Sequence, residues 1–235
     1  MSKHMILSAA AAAGIATIAS GNLIISEIVD GPLSGGLPKF VELTNTGNSV
    51  IDLSNFSIGN YNNGNTTLGG SASTVLSGLL GAGQSYVISY ENSDAAGSSS
   101  FFDVYGFDAD NLDLGAFING DDVIALFDGP ATGDGSDATL LDVYGVIGVD
   151  GTGEVWEYTD GYAFRNPDVL AGNPTFDPTE WTFGGANSLE GADDEEEVQI
   201  LLDNTTPGTH NFIPAPGAMA LLGLAGLAGT RRRRG

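Results

Sequence analysis

From Leu23 to Val29 the chain runs through apolar, mostly branched residues, and from Lys39 to Thr44 it alternates, with Val41 and Leu43 on one face and Glu42 on the other. A strand sends successive side chains to opposite faces, so both segments predict half-buried strands. Between them, Asp30-Gly31-Pro32 and Ser34-Gly35-Gly36 concentrate residues that favour turns. Asn45-Thr46-Gly47-Asn48 interrupts again before Val50 to Leu53, which predicts the next strand. Further along, strand patterns fall at Phe56, Ile58 and Tyr61, at Thr74 to Leu80, Ser85 to Tyr90, Phe101 to Tyr105, Val123 to Phe127 and Leu140 to Val146, with weaker ones at Tyr162 to Arg165 and Trp181 to Phe183. No long segment carries the 3.6-residue period of an amphipathic helix, and no fixed-period repeat marks a solenoid or propeller.

Composition strengthens that reading. The chain has 235 residues with 35 Gly, and removing its two unusual ends leaves roughly 190, which suits one all-β domain with a sizeable core. There is no Cys, so disulfide support, thiolate catalysis and cysteine zinc sites are excluded.

The strings LIISEIV, FVELTNTG and VIDLSNFSI together resemble the bacterial form of the lamin-tail domain, whose pattern is ISEI, then VEL-x-N, then DLS with an aromatic residue. The similarity continues at Asn119 to Leu126, Leu141 to Gly145 and Phe176 to Trp181, covering about Leu23 to Phe183. The resemblance implies an immunoglobulin-like β-sandwich of a kind that recurs in secreted bacterial proteins, and a structural or interaction module rather than an enzyme. A fold of this sort does not fix a function. With the two ends described below, the expected organisation is a signal peptide at 1–20, the sandwich at 21–190, an acidic segment and linker at 191–213, and a sorting tail at 214–235.

Charge narrows the partners. All 30 Asp and Glu lie between Glu27 and Asp203, where Lys39 and Arg165 are the basic residues. Phosphate backbones need a basic patch, so nucleic acid is excluded as a partner, and anionic lipid surfaces are disfavoured in the same way. The charge keeps a Gly-rich exported chain soluble or attracts divalent cations.

Candidate chemistry is sparse. Asp108-Ala109-Asp110-Asn111-Leu112-Asp113 is rich in oxygen ligands, yet it lacks the central Gly and closing Glu of an EF-hand. Asp134-Gly135-Ser136-Asp137 and Asp150-Gly151 read as turns that cap their own backbone. No cofactor is expected, calcium being the one ion these loops leave open. His210 follows the acidic run in a stretch that reads as a linker, with no nucleophile elbow beside it, and Lys39 is the one candidate lysine base. No catalytic, cofactor-binding or metal-ligating residue is assigned. Glu27 and Glu42, which match the lamin-tail pattern, read as acidic positions on exposed strand faces or as acceptors for neighbouring backbone donors. Arg165 reads as a structural ion-pair partner. Trp156, Tyr158, Tyr162 and Trp181 would form the platform of a carbohydrate-binding module if they lined one exposed face, and are otherwise core or rim packing. A carboxylate-dependent hydrolase would instead need two acidic groups meeting in a cleft.

The ends carry the address. Lys3, the apolar run Met5 to Ile18 and the small residues Ala19 and Ser20 have the three-part layout of a secretory signal peptide. At the other end Ile213-Pro214-Ala215-Pro216-Gly217 precedes the apolar run Ala218 to Ala228 and the cluster Arg231, Arg232, Arg233 and Arg234. This resembles the PEP-CTERM sorting tail of Gram-negative bacteria, with Ala215 in place of the usual Glu between the prolines. The residues support the same topology independently: Pro214 and Pro216 resist helix continuation, and the Arg cluster would stay cytoplasmic. A helix from Gly217 to Thr230 would span about 20 Å, short for a permanent anchor. The expected partners are therefore the export machinery and an exosortase-like processing enzyme, with matrix polysaccharide or surface proteins beyond. The expected location is the cell surface or extracellular matrix after transient anchoring in the inner membrane.

Overall fold

The computed structural model describes residues 22–90, 100–112 and 117–213. Its strands are β1 (Leu23–Leu33), β2 (Leu37–Asn45), β3 (Ile51–Asp52), β4 (Phe56–Tyr61), β5 (Thr74–Val75), β6 (Leu79–Leu80), β7 (Ser85–Tyr90), β8 (Asn111–Leu112), β9 (Val123–Asp128), β10 (Thr139–Tyr144), β11 (Gly161–Arg165) and β12 (Trp181–Phe183), with helices α1 (Phe101–Tyr105) and α2 (Asp194–Asn204). One sheet has the order β12-β11-β1-β2-β7-β8, a second the order β10-β9-β4-β5, and β3 pairs with β6. The strand pairs are antiparallel except β7 with β8.

The main core lies between the two larger sheets, where Ile25, Ile28, Val41 and Leu43 of the first meet Ile58, Tyr61, Leu126 and Val143 of the second. A second apolar cluster lies on the other face of the first sheet: Val29, Phe40 and Val87 pack against Phe101 and Val104 of α1 and Leu201 of α2. The central strands are thus covered on both sides, and every residue of β2 is buried. The expected alternation holds as to face, but Glu42 is 0% exposed. The half-buried expectation for β1 and β2 is corrected because helices supplied later in the chain roof the outer face.

A bulge sets the phase of β1. The register passes from Ile25 opposite Leu43 to Glu27 opposite Glu42, so Ser26 is an extra residue. The insertion lets both Ile25 and Ile28 enter the main core while Glu27 and Val29 turn outward.

Two local expectations change. Phe101 to Tyr105, read as a strand, is the helix α1: the Ser100 hydroxyl accepts from the Asp103 N–H, and Gly106 closes the turn at φ 76°. The acidic run opens α2, where Asp193 caps the helix and Asp194, Glu195, Glu196 and Glu197 fill its first turn, next to the positive end of the helix dipole. The segment that follows, read as a linker, folds against the body as far as Ile213, whose N–H donates to the Pro167 carbonyl at 2.6 Å.

Candidate functional site

Charged groups enter the interior at several places, and two of these are clusters that tie separate elements together. The first joins the two sheets. Arg165 at the end of β11 grips Asp142 of β10 with Nη2 at 2.6 and 2.5 Å from the two carboxylate oxygens, while Nη1 reaches Glu180 at 2.7 Å. The guanidinium also lies 4.0 Å from the centre of the Trp181 ring. Beyond the last β1–β11 pair, the Ile25 N–H donates to Asp142 Oδ2 at 2.8 Å and the Ile25 carbonyl accepts from Arg165 Nε at 3.2 Å. The ion pair satisfies backbone groups that no strand reaches. Burial pushes the Asp142 carboxyl up, against the opposing pull of Arg165 and the N–H groups of Asn173 and Ile25. Arg165 is a structural partner, as its sequence setting implied.

The second is the paired carboxyls of Glu27 and Glu42, opposite one another on β1 and β2. Both are buried. Burial raises the Glu27 carboxyl well above the ordinary range, the neighbouring Glu42 adds to the rise, and the Thr206 N–H opposes it. Burial likewise lifts Glu42 to about 7, opposed first by the Ser26 hydroxyl and then by the Gly208 N–H. Ser26 Oγ donates to Glu42 Oε1 at 2.6 Å and accepts from Thr44 Oγ1 at 2.7 Å. The roof is the stretch after α2: Thr206 N–H reaches Glu27 Oε1 at 3.0 Å and Gly208 N–H reaches Glu42 Oε2 at 2.7 Å. A hydrogen bond of 2.8 Å between the Tyr105 and Thr205 hydroxyls ties this roof to α1. Of the two structural readings of these glutamates, the one that holds is acceptance from backbone donors; exposure on a strand face does not. A substrate cannot reach a pair sealed in this way, so it is not the open carboxylate cleft a glycosidase requires.

The remaining candidates are equally committed. Lys39 is buried in an ion pair with Asp30. Burial raises Asp30 to about 6 despite that lysine. The half-buried His210 stacks on Phe212, and its Nε2 has no hydrogen-bond partner among the described residues. In the oxygen-rich loop, Asp110 accepts from the Val87 N–H at 2.8 Å and Asn111 and Leu112 form β8; Asp113 lies outside the described residues. Among the described residues no group of three or more acidic or His side chains is placed to hold a metal. Asp134, Asp150 and Asp177 accept from the N–H two residues on, as turn-capping carboxylates do.

Trp156, Tyr158 and Trp181 are buried around Tyr144 and do not form an exposed aromatic face. Tyr162 stacks on Phe164 on a different part of the sheet. The expected processing residues Pro214, Ala215, Pro216, Arg231, Arg232, Arg233 and Arg234, and the leader at 1–20, lie outside the described residues. Among the described residues no helix is long and apolar enough to cross a membrane. Sequence reasoning missed Asp122, a buried carboxylate that receives the N–H groups of Asn63 and Asn119. A lone Asp in a turn-rich stretch gives no signal of such a role.

Two facing sheets around an apolar core, with their internal charges spent on packing, define an immunoglobulin-like sandwich. The model of the family described as "Lamin Tail Domain" matches residues 16–148, more than half of the chain, and the protein belongs to that family. The family is one of non-catalytic immunoglobulin-like domains. β11 and β12, which complete the six-stranded sheet, follow the matched region. Comparison with curated proteins and with solved structures gave no match.

Proposed function

We propose that this lamin-tail protein is an exported structural or interaction module of the cell surface or extracellular matrix, held briefly in the inner membrane by its tail and released by an exosortase-like enzyme. The observation that carries the reading is the order of features in one chain. A basic and apolar leader comes first, an acidic sandwich follows, and Pro214-Ala215-Pro216, an apolar run and four Arg close the sequence. The fold supports it at one point: backbone contacts with the body continue to Ile213, so cleavage between Pro214 and Gly217 would leave the sandwich whole. The formal charge of −23 supports a surface role among neutral or cationic partners and opposes nucleic acid.

Replacing Arg231 to Arg234 with Ser tests the topology. The tail then loses its cytoplasmic anchor, and the unprocessed chain is expected in the medium of the producing cells. Unchanged release of a shortened protein from that variant would remove the Arg cluster from the mechanism.

A further inference from the structure

A cleft of about 440 Å³ opens beside the short edge strand β5, lined among others by Asn60, Asn62, Gly69, Gly70, Ser73 and Phe117. Its size falls within the roughly 300–1,000 Å³ usual for small-ligand sites. Among the described residues its lining contains no charged residue and no His, in a chain of net charge −23. That neutrality removes the carboxylates a cation would need and the basic groups an anion would need.

The walls are built rather than incidental. β5 pairs with β4 only at Ser57 and Ile58, so the rest of β4 is flanked by the loop 62–73. That loop is fastened to the next one: Leu68 N–H donates to the Gly133 carbonyl at 2.7 Å, Gly133 N–H to Ser71 at 3.2 Å, and Ser73 N–H to Ala131 at 2.9 Å. Asp122 ties both flanks, receiving the Asn63 N–H at 2.9 Å and the Asn119 N–H at 3.1 Å. Asn60 Nδ2 donates to the Phe117 carbonyl at 2.6 Å and so fixes the position of that residue. Phe117 keeps 41% of its surface exposed, and its ring centre lies 4.8 Å from that of Tyr90.

Glycine lines the floor. A Cβ at Gly69 would lie 2.3 Å from Asn62 Oδ1 and 2.8 Å from Asn60 Oδ1, so the two amides converge on this residue. Asn62 Oδ1 is buried beneath this floor and has no hydrogen-bond partner among the described residues. Amide groups, which both donate and accept, beside an exposed aromatic ring suit a ligand carrying many hydroxyls around apolar C–H faces. We propose that this cleft binds a neutral saccharide unit of a polysaccharide. The site is separate from the tail and does not depend on its processing.

The test is affinity electrophoresis of the full-length chain in gels containing dextran, galactomannan, xylan or, as the anionic control, alginate. At least one neutral polymer is expected to retard the protein, and alginate is not. Phe117→Ala is expected to weaken retention about tenfold, the scale of one lost ring contact. Gly70→Asn is expected to weaken it by filling the rim; Gly70 has φ +67°, which Asn tolerates, and no atom lies within 4 Å of its added Cβ. Thermal melts of both variants that match the parent show that the fold is intact. Lack of retardation by all three neutral polymers, or retention that survives both substitutions, overturns the proposal whatever becomes of the C-terminal tail.

Discussion

The buried clusters around Asp142 and around Glu27 and Glu42 differ in what balances them. At Asp142 both carboxylate oxygens meet Nη2 of the Arg165 guanidinium, so two opposite charges share the interior. At Glu27 and Glu42 two like charges meet, and N–H and O–H groups are the donors they receive. Burial is similar, yet the consequences oppose one another. Loss of one partner at the first cluster strands a charge, whereas protonation at the second relieves one. The first cluster joins the sheets, and the second fastens the chain after α2 onto the outer face of β1 and β2.

The comparison is broken most severely by Arg165→Met. Asp142 then stays buried without its cation, and the expected loss of stability is about 3–5 kcal/mol in chemical denaturation. A loss below about 1 kcal/mol would mean that the ion pair contributes little to joining the sheets.

Titration sharpens it next. Glu42 is raised from 4.5 to about 7, and Glu27 is raised in the same direction by burial and by Glu42. The folded state therefore holds more protons than the unfolded chain between these values. Stability is greatest near pH 4.5 to 5 and falls as the pH rises towards 7, by roughly 3 kcal/mol for Glu42 on an order-of-magnitude basis. Asp30 and Asp122, each raised to about 6 by burial, act with the same sign. The Glu27→Gln, Glu42→Gln double variant is expected to flatten most of this slope in denaturation curves taken at several pH values. A parent protein that gains stability from pH 5 to 7 would contradict the uncompensated pair.

A smaller effect is expected where the roof meets α1. Tyr105→Phe removes the hydroxyl contact to Thr205 and should cost about 1 kcal/mol, read from the denaturation midpoint. The smallest concerns the surface turns: Asp150→Ala loses an acceptor for the Thr152 N–H on a solvated carboxylate and should leave the melting temperature close to the parent value. A large drop there would show that the acidic turns do more than cap their own backbone.

Much of the sandwich was legible because its strands obey the two-residue period. Val41 and Leu43 point to the main core as their alternation with Glu42 requires, and β4, β7, β9 and β10 fall within or beside the segments that the pattern marks. What alternation does not record is the cover on the other side. Glu42 reads as exposed because the helices and the segment after α2 that bury it come from residues beyond 100. The bulge at Ser26 was equally hidden, since an extra residue leaves the same letters in the string. Phe101 to Tyr105 misled through its aromatic and branched residues: in five residues the helical period does not complete a second turn, and the Ser100 cap and Gly106 stop decide the outcome. The neutral cleft was not legible, because the Asn- and Gly-rich stretch after Ser54 reads simply as turns until Asp122 and the loop at 129–133 bring its parts together.

The segment that roofs the glutamates continues directly into Pro214, which places the fastened end of the fold beside the expected point of release. The proposed function rests on that release. Mass spectrometry of the intact protein from the surface or medium of native cells, with C-terminal peptide mapping, tests it most directly. The account predicts a chain that lacks 1–20 or thereabouts and all of Ala218 to Gly235, with its new end between Pro214 and Gly217. Recovery of the mature surface protein with Arg231 to Arg234 still attached would contradict it.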